Sequence, residues 1–183
     1  GKAPLIAAIG LMFFQQLVGI NSVIYYLPQV FIKGFHLSDS ISIWISVGIG
    51  TVNFLSTILA TKIMDKFPRK KLLIWGALVM GFSLGIITII NYTVNIETAA
   101  IFTIILIAIY IFGFAVSWGP ICWILIAEMF PLNIRGVGSS FGSAANWIGN
   151  FLVTQFFLSI LVFFHDNIGG PFAIFTVFSF LAI

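Results

Sequence analysis

Gln15-Gln16-Leu17-Val18-Gly19-Ile20-Asn21-Ser22-Val23-Ile24-Tyr25-Tyr26 decides how this chain is read. The stretch lies inside a run, Pro4 to Ile32, that holds no charged residue. About 20 apolar residues suffice to cross a bilayer. Yet the run carries two adjacent carboxamides, a third amide and two phenols. An amide left unpaired in hydrocarbon costs several kcal/mol. These groups must therefore face protein, water or a polar ligand. At about 100° per residue, Gln15, Ser22, Tyr25, Tyr26 and Gln29 share one stripe of a straight helix. Gln16 and Asn21 fall on opposite flanks of it, roughly 140° apart. A straight helix cannot aim both at one cavity, whereas a helix broken at Gly19 can. Irregular backbone survives at membrane depth only where it is buried in protein or lines a cavity.

The rest of the chain fits a membrane. Of its 183 residues, 61% are hydrophobic and 7% charged, and the mean hydropathy is +1.18. Soluble domains carry about 25% charged residues. The chain reads as an all-α polytopic membrane protein. The single cysteine, Cys122, excludes an internal disulfide. The net charge of +3 is no nucleic-acid signal, because the cations sit in loops, where membrane orientation explains them.

Six apolar spans are expected. They run roughly Ala3–Ile32, Ile41–Ile63, Leu72–Ile90, Ala99–Ile126, Gly136–Phe163, and from Pro171 onward. The fourth is expected to be interrupted at Gly119-Pro120. Gly81 with Gly85, and Gly138 with Gly142, are small-xxx-small pairs that let a neighbouring helix approach closely. Six spans alternate the side of their loops. One side collects Lys2, Lys62, Lys66, Arg69, Lys70, Lys71 and Arg135, and the other holds only Lys33. The positive-inside rule places the first group in the cytoplasm of a plasma-membrane protein. The chain starts without methionine and stops at Ile183 inside an apolar run, so it reads as a fragment of a longer protein.

No phosphate loop, metal cluster or hydrolase nucleophile is visible, which argues against an enzyme. Apart from Glu128 at a helix end, the spans hold no carboxylate, the usual intramembrane proton relay. They hold amides and indoles instead: Gln15, Gln16, Asn21, Gln29, Asn53, Trp118, Trp123, Asn146, Trp147, Asn150 and Gln155. Carboxamides donate and accept at once and suit neutral polyols, while aromatic faces suit the C–H faces of a sugar ring. The other reading is that amides join helices and tryptophans anchor at the interface. At the basic side, Asp65, Arg69, Glu128 and Arg135 can pair across the bundle, or simply form a solvated flank.

Four motifs occur in order: Gln15-Gln16-x-x-Gly19-x-Asn21-x-x-x-Tyr25-Tyr26, Asp65-Lys66-x-x-Arg69-Lys70, Gly119-Pro120-x-x-Trp123, and Glu128-x-Phe130-Pro131-x-x-x-Arg135-Gly136. Together they resemble the sugar porter family of the major facilitator superfamily, most closely bacterial D-xylose/hexose–proton symporters. The resemblance implies that residues 1–183 are the C-terminal six-helix half of a twelve-helix fold, helices seven to twelve. It implies monosaccharide transport by alternating access, coupled to protons, with no cofactor. Sugar uniport, a channel, and a polytopic protein without transport are the alternatives.

By the same resemblance, Gln15, Gln16, Asn21, Asn53, Trp123, Asn146 and Trp147 hold the sugar. Tyr25, Tyr26, Gly119 and Pro120 belong to gates, and Asp65, Arg69, Glu128 and Arg135 to a cytoplasmic charge network. The implied partners are a monosaccharide, a proton, the lipid bilayer and the missing N-terminal half, whose first helix carries the family's proton acceptor. Pro68 stands where the family usually has glycine. Asn146 stands where its xylose transporters tend to have glutamine, which favours a hexose.

Overall fold

The computed structural model describes residues 2–182, and all regular structure in them is helical. Charge-free spans leave the backbone no water to bond, so each must satisfy its own N–H and C=O groups as a helix. The helices are α1 (Lys2–Leu17), α2 (Ile20–Tyr25), α3 (Leu27–Gln29), α4 (Asp39–Ile63), α5 (Arg69–Thr93), α6 (Ile96–Ala115), α7 (Trp118–Glu128), α8 (Arg135–Phe163) and α9 (Gly169–Leu181). A π-helical turn, Val30–Gly34, follows α3.

Among the described residues, five segments are long and apolar enough to cross a bilayer: Lys2–Tyr25, Asp39–Ile63, Arg69–Thr93, Ile96–Glu128 and Arg135–Phe163. The sixth expected span is α9, which at 13 residues covers about 20 Å at 1.5 Å per residue. Side chains such as Trp44, Phe54, Phe82, Ile89, Phe151 and Phe163 point outward, as lipid-facing residues do. Ser38 caps α4 by accepting from the Ile41 N–H, and Asn95 caps α6 by accepting from the Thr98 N–H.

α1 and α2 lie along α8, α5 lies between α6 and α9, and α4 rests on α6. The α1–α8 seam is set by small residues. Gly138, Gly142, Ala145 and Gly149 recur on the buried face of α8. A Cβ on Gly149 would stand 3.0 Å from the Gln16 side chain. Gly81 and Gly85 do the same for α9, against Phe180 and Thr176. Lipid gives helices no hydrophobic reason to associate, so such close approach supplies the dispersion contact that holds them.

Two spans are broken. The first breaks at Val18-Gly19, where Gly19 has φ 89° and ψ 13°. That left-handed conformation is open to glycine and strained for other residues. The Phe175 ring of α9 packs where a Cβ on Gly19 would stand. The fourth span breaks at Val116-Ser117, one turn before the expected Gly119-Pro120. Proline has no N–H, and its ring collides with the carbonyl four residues back, here Val116. Pro120 therefore sits in the first turn of α7, and the chain bends upstream of it.

Candidate functional site

The break at Gly19 frees backbone groups that must be bonded elsewhere. The hydroxyl of Tyr110, fully buried on α6, donates to the Val18 carbonyl at 2.8 Å. This residue was not singled out from the sequence. A lone phenol in an uncharged span was the available signal, since a buried Tyr hydroxyl normally finds a partner.

With its backbone satisfied, the break turns Asn21 toward Gln16. The Asn21 Nδ2 donates to Gln16 Oε1 at 2.6 Å. Across the α1–α8 seam, Asn146 Nδ2 donates to Gln15 Oε1 at 2.6 Å and to the Met12 carbonyl at 3.1 Å. Gln15 Nε2 donates to the carbonyls of Trp118 and Gly119 at 2.9 and 3.1 Å. Gln16 Nε2 has only long contacts, 3.4 Å each, to Gln15 Oε1 and Asn146 Oδ1. Four amides from two spans, on helices α1, α2 and α8, thus form one network. Gln15 is held entirely by protein. Gln16 keeps a weakly committed donor in its Nε2.

This network is the floor of a cleft of about 260 Å³. Its other walls are Ile20, Ile24, Tyr25, Asn53, Phe114, Gly119, Trp123 and Trp147. Tyr25, Trp123 and Trp147 are 57%, 41% and 63% exposed. Unlike the outward-facing aromatics, these three line a cleft floored by amides. No Asp, Glu, Lys, Arg or His lines the cleft. All seven amides and indoles expected to hold a ligand therefore meet in one place.

The four residues expected at gates divide. Tyr25 and Gly119 line the cleft. Tyr26, one residue on and rotated by about 100°, turns into the bundle. Its hydroxyl donates to the Thr154 carbonyl at 3.2 Å and its ring stacks on Phe157 at 5.3 Å. Pro120 shapes the bend without reaching the cleft. Cys122 is fully buried behind Trp123.

Asp65, Arg69, Glu128 and Arg135 lie away from the cleft. Arg69, at the start of α5, pairs with Glu128, at the end of α7. It is the one ion pair among the described residues. The Arg135 Nε donates to the Phe130 carbonyl at 3.2 Å, bracing the α7–α8 turn. Asp65 is exposed in the preceding turn. Pro68 has φ −58° and ψ 135° directly before α5. That geometry suits proline, so no glycine is needed there.

The pattern of the family described as "Sugar (and other) transporter" matches residues 1–183. The chain belongs to the sugar (and other) transporter family. This is a family of transporters and not of enzymes, and its member here is a multi-pass membrane protein. The chain is 44% identical over 165 residues to a D-xylose transporter of Levilactobacillus brevis, covering 89% of this chain and 36% of that protein. It is 41% identical over 144 residues to the glucose transporter GlcP of Staphylococcus epidermidis, covering 79% of this chain and 32% of that one. The transporter-family chain thus spans about a third of the length of these curated relatives. The solved structure of the major facilitator superfamily proton:xylose symporter XylE, bound to 6-bromo-6-deoxy-D-glucose, superposes with a TM-score of 0.86 at 36% identity. The match covers 97% of this chain and 38% of that one. The fold is that of the major facilitator superfamily.

Proposed function

We propose that this chain is the C-terminal six-helix half of a monosaccharide transporter, and that its amide-floored cleft holds the sugar. The observation that carries this reading is the composition of the cleft: five carboxamides and four aromatic rings, with no charge. Hydroxyls donate and accept, and so do carboxamides. The exposed faces of Trp123 and Trp147 suit the C–H face of a pyranose. A charged or purely apolar solute would leave the amides unpaired or unanswered.

The cleft is open and its aromatic wall exposed, so a second half would close over it. Binding at the midplane between two such halves supports alternating access. The basic end, with Lys62, Lys66, Arg69, Lys70, Lys71 and Arg135, faces the cytoplasm by the positive-inside rule. The span interiors hold no carboxylate, Asp39, Glu97 and Glu128 lying at span ends. If transport is proton-coupled, the proton acceptor therefore lies in the other half. Asn146, a methylene shorter than glutamine, favours a hexose over a pentose beside Gln15.

The test is counterflow by the full-length protein in proteoliposomes. Preloaded glucose is expected to drive transient uptake of labelled glucose against its gradient, with glucose competing better than xylose. A proton gradient should accelerate net uptake if the carrier is a symporter. Flux without counterflow would point to a pore, and no flux of either sugar would end the reading.

A further inference from the structure

Trp118 is 3% exposed and does not line the cleft, yet it is bonded on two sides. Its carbonyl accepts from Gln15, the fully engaged amide of the cleft floor. Its indole Nε1 donates to the Leu73 carbonyl on α5 at 2.8 Å. Leu73 lies one helical turn beyond Arg69, and Arg69 pairs with Glu128 at the other end of the helix that Trp118 begins. α7 is thus fastened to α5 at both ends, and to the cleft at one.

A second observation places the same contact under constraint. Ser117, the residue at the break, has φ −134° and ψ −90°, a sparsely populated region. Gly76 of α5 approaches so closely that a Cβ there would overlap the Ser117 hydroxyl. Ser117 answers by donating to the Gly113 carbonyl at 2.5 Å. The bend is therefore keyed into the Leu73–Gly76 face of α5, with the indole N–H as its polar pin.

Resting on the sugar-binding reading, we propose that Trp118 is a positioning residue that carries sugar occupancy at Gln15 to the Arg69–Glu128 pair. A sugar hydroxyl that competes for Gln15 Nε2 releases the carbonyls of Trp118 and Gly119. The first turn of α7 then moves, while the indole stays pinned to Leu73. Motion at that end becomes tilt at Glu128, about 15 Å away over ten residues. Chemistry at the cleft floor thereby loosens or tightens the ion pair.

Trp118→Phe tests this in the full-length transporter. It removes the N–H and keeps a buried ring, and the Leu73 carbonyl keeps its place in the α5 ladder. Three quantities are measured on one preparation: equilibrium glucose affinity, melting temperature, and counterflow rate at saturating glucose. The expected result is unchanged affinity and at most a small drop in melting temperature, with counterflow slowed about 2- to 12-fold, the worth of one neutral hydrogen bond. Combined with Glu128→Gln, the loss should not add, because both changes cut one path. Replacing Trp118 with β-(3-benzothienyl)alanine, which puts sulfur in place of the N–H at the same ring size, repeats the test should the Phe variant not fold. Counterflow equal to the parent's, or slowing that adds fully to that of Glu128→Gln, overturns the proposal. A packing role alone predicts a lower melting temperature with normal turnover per folded molecule. A parent that binds no monosaccharide removes the sugar reading itself, and is recognised before any variant is compared.

Discussion

Asn21 Nδ2 lies 2.6 Å from Gln16 Oε1 across the left-handed break at Gly19. On an unbroken helix these side chains would diverge by roughly 140°. Gly19→Ala should therefore separate them. The left-handed conformation costs an L-residue about 1–2 kcal/mol, and the added Cβ meets the Phe175 ring. The expected outcome is a lower melting temperature together with lost sugar binding, read on the same purified protein. Unchanged binding would mean that the break does not assemble the cleft.

Tyr110→Phe deletes the hydroxyl that bonds the Val18 carbonyl. An orphaned buried acceptor costs about 1–3 kcal/mol. Thermal melts should show that loss, and hydrogen exchange should quicken over residues 18–24. Exchange that stays as slow as the parent's would mean the break is held by packing alone.

Arg69 and Glu128 form a partly exposed pair, with side chains 33% and 55% accessible. Such solvent-screened pairs contribute little to stability. Arg69→Glu should leave melting nearly unchanged and impair transport. The swapped pair Arg69→Glu with Glu128→Arg should recover part of the transport rate, checked by counterflow. Recovery of nothing would argue for a solvated flank without a gating role.

The cation bias predicts a sidedness that labelling can check. A cysteine placed at Asn95 should react with an impermeant thiol reagent added to intact cells. One placed at Lys66 should react only after the membrane is opened. The reverse pattern would invert the topology.

Much of this was legible in the residues. The charge-free run Pro4–Ile32 and the one-sided cations point to a polytopic helical protein before any coordinate. Conflicting directions of Gln16 and Asn21 point to the break at Gly19, because helical periodicity is a local property. Proline misplaced the second break by a turn, since its steric effect acts on the carbonyl four residues upstream. Long-range partners were not legible. Nothing local tells that Gln15 reaches the Trp118 carbonyl 103 positions away, or that Tyr110 serves Val18. Nor does local pattern separate Tyr25, in the cleft, from its neighbour Tyr26, which packs on Phe157. Those choices are made by helix packing.

The most direct measurement is glucose affinity and melting temperature on one preparation of full-length Gln16→Ala. The Gln16 Nε2 makes the longest bonds of the amide network, 3.4 Å each, so that nitrogen is the one best placed for a sugar hydroxyl. Loss of one such bond should weaken affinity about 2- to 12-fold with little change in melting. Parent-like affinity with a lowered melting temperature would show that Gln16 joins helices, and would contradict the assignment of the cleft as the sugar site.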